Sequence, residues 1–357
     1  MRVGLTLYGS LEERSGGFRY DRKLVDGLRR ASDTVDTIEL PWRAYHRGLL
    51  DNGSPRFRER LRADVDVMLQ DELAHPSLFH TNRSLPYPVV SIVHHLRASE
   101  GRRLTPVYRA VERRYLATVD GVICNSTETR DVVTDMGVDP DATVVAPPAG
   151  DRFDPEIDDA IITARAHERP LRVVFVGSIT PRKGLDTLLA GLAAAGVDAE
   201  LTVIGRVVDE AYAGRVRRSI REHSLEDRVE MAGELADEAL AARLRSSHVL
   251  AVPSRYEGFG IVYLEGMSFG LPAVASRAGG ATDVVTDGET GVLVDPDDPA
   301  AVSRALQRLA SDPDRLAELG LAARRRYERH PDWEATTARV RRLLRDVLST
   351  AEVEVAP

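Results

Sequence analysis

The sequence predicts an α/β protein made of two Rossmann-like domains facing each other across a cleft. Three observations predict it. Short β-branched runs alternate with longer helical patterns along the whole chain. The alternation halts once, in a stretch rich in proline and acid. The length of 357 residues suits two domains that each bury a core.

In the first half, expected as a domain over residues 1–150, the runs predict strands at Val3–Leu7, Thr34–Leu40, Val65–Leu69, Val89–Val93, Gly121–Cys124 and Thr143–Val145. Helical patterns fall at Tyr20–Ala31, Thr105–Thr118 and Thr127–Met136, the last opened by the cap signal Asn125-Ser126-Thr127. From Pro147 the period is lost, and residues 151–170 read as an interdomain linker. The second domain, over 171–328, carries strands at Arg172–Val176, Leu201–Ile204, Val229–Ala232, His248–Val252, Ala273–Ser276 and Gly291–Val294. Helices are expected between them at about 184–196, 209–223, 236–246, 260–269, 281–287 and 298–310. After the break His330-Pro331, a C-terminal helix within 329–350, around Trp333–Leu348, is expected to pack back on the first domain.

Composition narrows the function. A net charge of −8 and 5% aromatic residues argue against nucleic acid as a partner. The single Cys124 removes an internal disulfide and a cysteine-based zinc site. No uncharged stretch approaches the ~20 apolar residues of a membrane span, and the start MRVGLTLYGS is too short and polar for a signal peptide. The expectation is a soluble cytoplasmic protein. Of 48 basic residues only Lys23 and Lys183 are lysines, which asks what those two do.

Doubly wound sheets bind ligands at the carboxyl ends of their strands, so the loops there hold the candidates. In Phe175-Val-Gly-Ser-Ile-Thr-Pro-Arg-Lys-Gly184, Gly177 permits close backbone approach, and Arg182 and Lys183 stand beside a helix start that favours anions. Against a merely solvated basic turn stands the composition: one of two lysines is here. In Ser254-Arg-Tyr-Glu-Gly-Phe-Gly-Ile-Val-Tyr-Leu-Glu265, Gly258 and Gly260 flank Phe259, Glu257 lies in the loop and Glu265 on the helix. Such carboxylates can hold sugar and ribose hydroxyls; as helix-cap partner and surface residue they would do neither. The loop from Arg277 to Asp283 adds the pair Gly279-Gly280 at a further helix start.

Glu257-x7-Glu265, the upstream Arg182-Lys183-Gly184 turn and the downstream Gly279-Gly280 pair together resemble the retaining glycosyltransferases of family 4, of group 1 type, which have the GT-B fold. Gly16-Gly17 is similar to that family's glycine loop after the first strand, Val89–His95 to its strand ending in histidine, and Ile123–Ser126 to the strand and cap that follow. The resemblance implies an acceptor-side first domain and a nucleotide-sugar-binding second domain. It implies that Arg182 and Lys183 bind the donor diphosphate, that Glu265 holds the ribose, and that Glu257 touches the donor sugar and favours its cationic transition state. His94 would contact the sugar, although His95 is an alternative because strand alternation lets only one of them face the cleft. Where the family shows Gly-Gly-hydrophobic-Pro-Glu, this chain has Gly279-Gly280-Ala281-Thr282-Asp283, with a shorter acid that bears on donor-sugar preference.

No metal or other cofactor is expected, because helix N-termini and the Arg182/Lys183 pair can neutralise a leaving diphosphate. The acidic pairs Asp139-Pro-Asp141 and Asp295-Pro-Asp297 read as turns and caps. The implied reaction moves a sugar from a nucleotide-diphosphate donor to a glycan, lipid or small-molecule acceptor with retention. The segment Arg97–Arg114, with six arginines against Glu100 and Glu112, suggests contact with an anionic membrane or a phosphorylated acceptor, or else a solvated helix face. The rival readings are a non-catalytic nucleotide-sugar-binding protein, a nucleotide-sugar epimerase, and an NAD-dependent oxidoreductase, for which Gly-x-Gly-x-x-Gly is missing after Val3–Ser10 and Val203–Val208. Lys183→Ala is expected to weaken donor binding and leave the fold intact.

Overall fold

A computed structural model describes residues 1–13, 15–100 and 104–355, Glu100 and residues 352–355 by backbone alone. The chain divides into two compact units: Met1–Ala149 with the chain from Pro331 onward, and Gly150–His330.

In the first unit β1 (Arg2–Tyr8), β2 (Thr34–Leu40), β3 (Val67–Asp71), β4 (Val89–Val93), β5 (Gly121–Cys124) and β6 (Thr143–Val145) form one parallel sheet in the order β2-β1-β3-β4-β5-β6. The inner strands β3, β4 and β5 are buried along their whole length, as apolar runs covered on both faces should be. The helices before the crossing to the second unit are α1 (Gly16–Arg30), α2 (Tyr45–Asp51), α3 (Pro55–Arg60), α4 (His75–Leu78), α5 (Thr105–Leu116) and α6 (Thr127–Asp135). The strand expected at Val65–Leu69 lies two residues later because Gln70 and Asp71 belong to it; Gln70 is admitted to the interior by a reciprocal amide pair with Asn82, at 2.9 and 3.0 Å. Gly16 and Gly17 are not a loop: Ser15 accepts the Phe18 N–H and starts α1 at Gly16, four residues before the apolar pattern does.

The second unit repeats the plan. Strands β7 (Leu171–Val176), β8 (Ala199–Ile204), β9 (Val229–Gly233), β10 (Val249–Val252), β11 (Ala273–Ser276) and β12 (Gly291–Val294) form a parallel sheet in the order β12-β11-β10-β7-β8-β9. Around them lie α7 (Asp159–Ala166), α8 (Leu185–Ala195), α9 (Glu210–Glu222), α10 (Asp237–Ser246), α11 (Ile261–Ser268), α12 (Pro299–Ser311) and α13 (Pro313–Glu328). The expected linker 151–170 is corrected: it belongs to this unit, and α7 buries Ile162, Arg165 and Ala166. One of its inward positions is an arginine, which hides the period; Arg165 is satisfied there by the carbonyls of Arg245, Phe269 and Gly270 at 2.8–3.0 Å. The helix expected at 281–287 is only a 3-10 turn, Gly280–Asp283.

The last helix, α14 (Trp333–Val355), belongs to the first unit. Val340, Leu343, Leu344 and Val347 join Leu24, Val25 and Leu28 of α1 in one core, and Arg341 donates to the buried Asp33 at 2.7 Å. The two helices approach closely at Gly27, where an added Cβ would stand 2.1 Å from Thr337 Oγ1. Gly27→Val is therefore expected to cost about 1–3 kcal/mol through overpacking, measured by urea unfolding; a variant as stable as the parent would refute the close approach.

Candidate active site

Each sheet reverses its strand order once on either side of its first strand, between β1 and β3 in the first unit and between β7 and β10 in the second. Loops leaving these neighbouring strands diverge, and the crevice left between them is where an α/β sheet takes a ligand. The predicted residues gather at these two places.

In the second unit β7 leads through Gly177 into the 3-10 turn Pro181–Lys183, and β10 leads into the loop 254–260. Lys183 Nζ donates to Glu257 Oε2 at 2.5 Å, Ser254 Oγ donates to the same oxygen at 3.1 Å, and Arg182 Nη1 lies 3.6 Å from Glu257 Oε1. Lys183 and Glu257 are both nearly buried, with side chains 12% and 10% exposed. Burial alone would raise the Glu257 pKa, but Lys183 and Arg182 overcome it and bring the carboxyl down to about 2. The Lys183 pKa moves down because burial outweighs its attraction to Glu257 and Arg182 repels it. The asymmetry is physical: the acid has two cations beside it, the lysine one anion and one cation.

The backbone holds this cluster tightly. Gly184 is left-handed (φ +67°), and an added Cβ would lie 2.0 Å from the Pro253 carbonyl oxygen, so the two loops can touch only through glycine. Gly279 (φ +83°) meets the Glu257 carbonyl in the same way, and the Gly280 N–H donates to that carbonyl at 2.8 Å. Gly177 lies against the Lys183 stem, and Gly258, Phe259 and Gly260 are buried leading into α11. Glu265, one turn further, is 4% exposed and faces Arg152 Nη1 at 3.5 Å, while Arg152 Nη2 donates to Asp237 at 2.7 Å. It is not a surface residue. The start of α8 is less open than expected, because the Asp186 N–H already donates to the Tyr212 hydroxyl at 3.0 Å. The acidic pairs act as expected of turns and ties: Asp139 accepts the Asp141 N–H at 3.0 Å, and Asp297 accepts from Arg255 at 2.7 Å.

In the first unit His94 follows β4 and is 8% exposed. Its backbone N–H donates to Glu72 Oε2 at 3.1 Å, its carbonyl accepts from Asn125 Nδ2 at 2.8 Å, and its Nε2 lies 3.3 Å from Asp21 Oδ1. A side chain on Gly17 would meet the His94 ring at 3.1 Å, so the glycine leaves that edge clear. His95 is only half-buried, and His94 is the histidine drawn into the polar cluster. Burial would lower the His94 pKa; Asp21, Glu72 and Asp71 reverse this and raise it to about 10. Asp71 and Glu72 move upward, chiefly through burial. One polar side-chain atom each from Asp21, Asp71 and His94 lie within 4.8 Å of one another, and all three residues are buried.

Two family descriptions match successive parts of the chain: Glycosyltransferase Family 4 over residues 16–151 and Glycosyl transferases group 1 over residues 158–326. An MMP alpha-(1->4)-mannosyltransferase of Mycolicibacterium hassiacum is 30% identical over 78% of this chain and 69% of its own length. The chain belongs to the family 4, group 1 glycosyltransferases. A D-inositol 3-phosphate glycosyltransferase of Rhodococcus opacus is 33% identical over 77% of this chain and 63% of its own length. A GDP-mannose-dependent alpha-(1-6)-phosphatidylinositol monomannoside mannosyltransferase of Mycolicibacterium smegmatis is 33% identical over 68% of this chain and 67% of its own length. Among solved structures, a sucrose-phosphate synthase from Thermosynechococcus elongatus matches with a TM-score of 0.83, covering 98% of this chain and 99% of that one at 24% identity. Anabaena HepE in complex with UDP and glucose matches at 0.78, covering 97% and 100% at 18% identity. At these identities the likeness shows the fold, which is GT-B.

Several residues of this glycosyltransferase's candidate site escape sequence reasoning. Arg255 ties the two loops by donating to Asp186 and Asp297 at 2.9 and 2.7 Å, and its N–H donates to the Arg182 carbonyl at 2.7 Å. It stands inside a loop already singled out, and the signal that could have found it was a third arginine beside acids. Arg152, Asp21, Asp71 and Glu72 carry no local pattern, because their partners are far away in sequence.

The Lys183–Glu257 contact changes the expectation for Lys183→Ala. Removing the lysine leaves a buried carboxylate short of its main partner, so the variant is expected to lose about 3–5 kcal/mol by urea unfolding instead of folding unchanged. Lys183→Ala combined with Glu257→Gln should recover much of that loss. Because the Glu257 pKa is depressed, the contribution is present above the ordinary value of 4.5 and fades as pH falls toward about 2. Equal stability of both variants and parent at pH 7 would remove the pair from the account.

Proposed function

We propose that this glycosyltransferase transfers a sugar from a nucleoside-diphosphate sugar to a hydroxyl acceptor on a glycan, lipid or small molecule, with retention at the anomeric carbon. The observation that carries the reading is the Arg182/Lys183/Glu257 cluster at the β7/β10 reversal: two cations for a diphosphate beside a carboxylate that stays ionised. The bond from the anomeric carbon to the diphosphate oxygen breaks, and Arg182 and Lys183 take up the charge that develops on the leaving group. The acceptor hydroxyl forms the new bond on the same face, and its proton passes to a phosphate oxygen. Glu257 supports the positive charge that spreads over the sugar ring. Glu265 receives the ribose hydroxyls, with Arg152 holding its carboxylate. His94 contacts the sugar, and no resident metal is required. The names of the relatives point to GDP-mannose as a first donor to try, and the HepE complex to UDP-glucose.

The test is turnover of GDP-mannose and UDP-glucose with EDTA present. Expected is release of the nucleoside diphosphate, with an α-configured product by NMR if the donor is α-linked. Glu257→Gln should lower kcat by about 100-fold or more while donor affinity changes by less than about tenfold. Donor binding without any release in the parent would favour the non-catalytic alternative, and an inverted product would end the retaining reading.

A membrane contact through Arg97–Arg114 is proposed on narrower ground. Leu104 and Val107 are exposed on and beside α5, next to exposed Arg109, Arg113 and Arg114, a pattern suited to an anionic lipid surface. Arg102 and Arg103 lie outside the described residues, and Arg97 packs over the rings of Tyr45 and Tyr108, each 5.2 Å away. No helix among the described residues is long and apolar enough to cross a membrane. Flotation with phosphatidylserine vesicles at low salt should carry the protein upward, and replacing Arg109, Arg113 and Arg114 by glutamine should abolish this; failure of the parent to float removes the proposal.

A further inference from the structure

One buried carboxylate oxygen in the first unit stands without a partner among the described residues. Asp21, on α1, is fully buried; its Oδ1 faces His94 Nε2, and its Oδ2 meets no hydrogen-bond donor. An apolar residue on the inner face of α1 would pack there without that cost, so an acid needs a reason. The groups around the His94 ring supply it. From α1 come Asp21 and the edge of the Tyr20 ring, with centroids 5.2 Å apart at 77°. From the end of β3 come Asp71 and Glu72, and from the start of α1 comes Gly17, which leaves one edge of the ring open. Asp71 spends Oδ1 on the Leu73 N–H at 2.8 Å, and Glu72 spends Oε2 on the His94 backbone N–H at 3.1 Å. Asp21 is the acid whose carboxylate engages the imidazole itself.

We propose that Asp21 is a positioning residue which holds His94 as an imidazolium, so that Nδ1 presents a proton, not a lone pair, to the bound sugar. The inference rests on the reading above that places His94 at the donor sugar. Nδ1 makes no hydrogen bond among the described residues, whereas Nε2 is turned toward Asp21. A histidine held in this way does not act as a base toward the acceptor; it donates a charge-assisted hydrogen bond to a sugar hydroxyl. Of the acids around the ring, Asp21 is the one whose side chain is hydrogen-bonded to it, at 3.3 Å. The raised His94 value means that protonation persists through neutral pH and is lost only as pH rises toward about 10.

The experiment is NMR of the full chain labelled at histidine, with His94→Gln used to assign the signal. In the parent the His94 ring should remain an imidazolium up to at least about pH 8.5, well above an ordinary histidine. Asp21→Asn should lower its midpoint by about 2 units or more and give kcat a falling limb on the alkaline side, with the donor KM within about twofold of the parent. Asp21→Glu should restore part of both. A neutral His94 ring in the parent at pH 7.5, or an unmoved midpoint in Asp21→Asn, overturns the proposal. So does stoichiometric Mn²⁺ that broadens the His94 signal, which would give the cluster to a cation. If Asp21→Asn does not fold, the parent titration decides alone. A protein that turns over no donor yet shows the raised His94 midpoint would defeat the proposed function and not the Asp21–His94 pairing.

Discussion

Both sheets are all-parallel and their inner strands are covered on both faces, and everything polar in this protein is arranged around that constraint. A charged side chain in the middle of β4, β5, β10 or β11 would have neither water nor a partner, and those strands carry no charge. Charged groups gather where the chain leaves the sheet. At the carboxyl ends of β7 and β10 the two loops sit side by side because the strands do, and Lys183 reaches Glu257 across 74 residues of sequence. At the ends of β3 and β4 the same adjacency brings Asp71 and Glu72 to His94.

The two polar clusters have opposite balances. In the second unit Arg182 and Lys183 surround one carboxylate, Glu257; in the first, Asp21, Asp71 and Glu72 surround one imidazole. Each arrangement stabilises its minority member in the charged form, the acid down to about 2 and the histidine up to about 10. In the proposed function the surplus cation would face the leaving diphosphate and the proton-bearing ring a sugar hydroxyl.

Much of this was legible in the chain. Six strands, β2, β4, β5, β6, β11 and β12, have the bounds their β-branched and apolar runs predict. The loops bearing Lys183, Glu257 and Glu265 were legible because they follow such strands. Lys183 also stood out as a lysine in a chain of arginines. What stayed hidden shares one cause. Gln70 and Asp71 in β3, Arg165 in α7 and Asp21 in α1 are buried polar residues whose partners come from distant sequence, and a periodicity reading treats each as an interruption. Short helices such as α2 and α3 carry too few turns to show a period at all.

The C-terminal helix α14 has a consequence for how this fold can vary. Since the chain returns to the first unit at Pro331, the second unit is a continuous insert, Gly150–His330, carried by a host whose core needs segments from both sides of it. The loops bearing Arg182, Lys183, Glu257 and Glu265 therefore lie in one uninterrupted cassette. The host core, by contrast, joins Leu343 and Leu344 from beyond the insert with Leu24 and Leu28 from before it. A cassette of this kind can be exchanged between relatives at two junctions without cutting any strand of the host sheet.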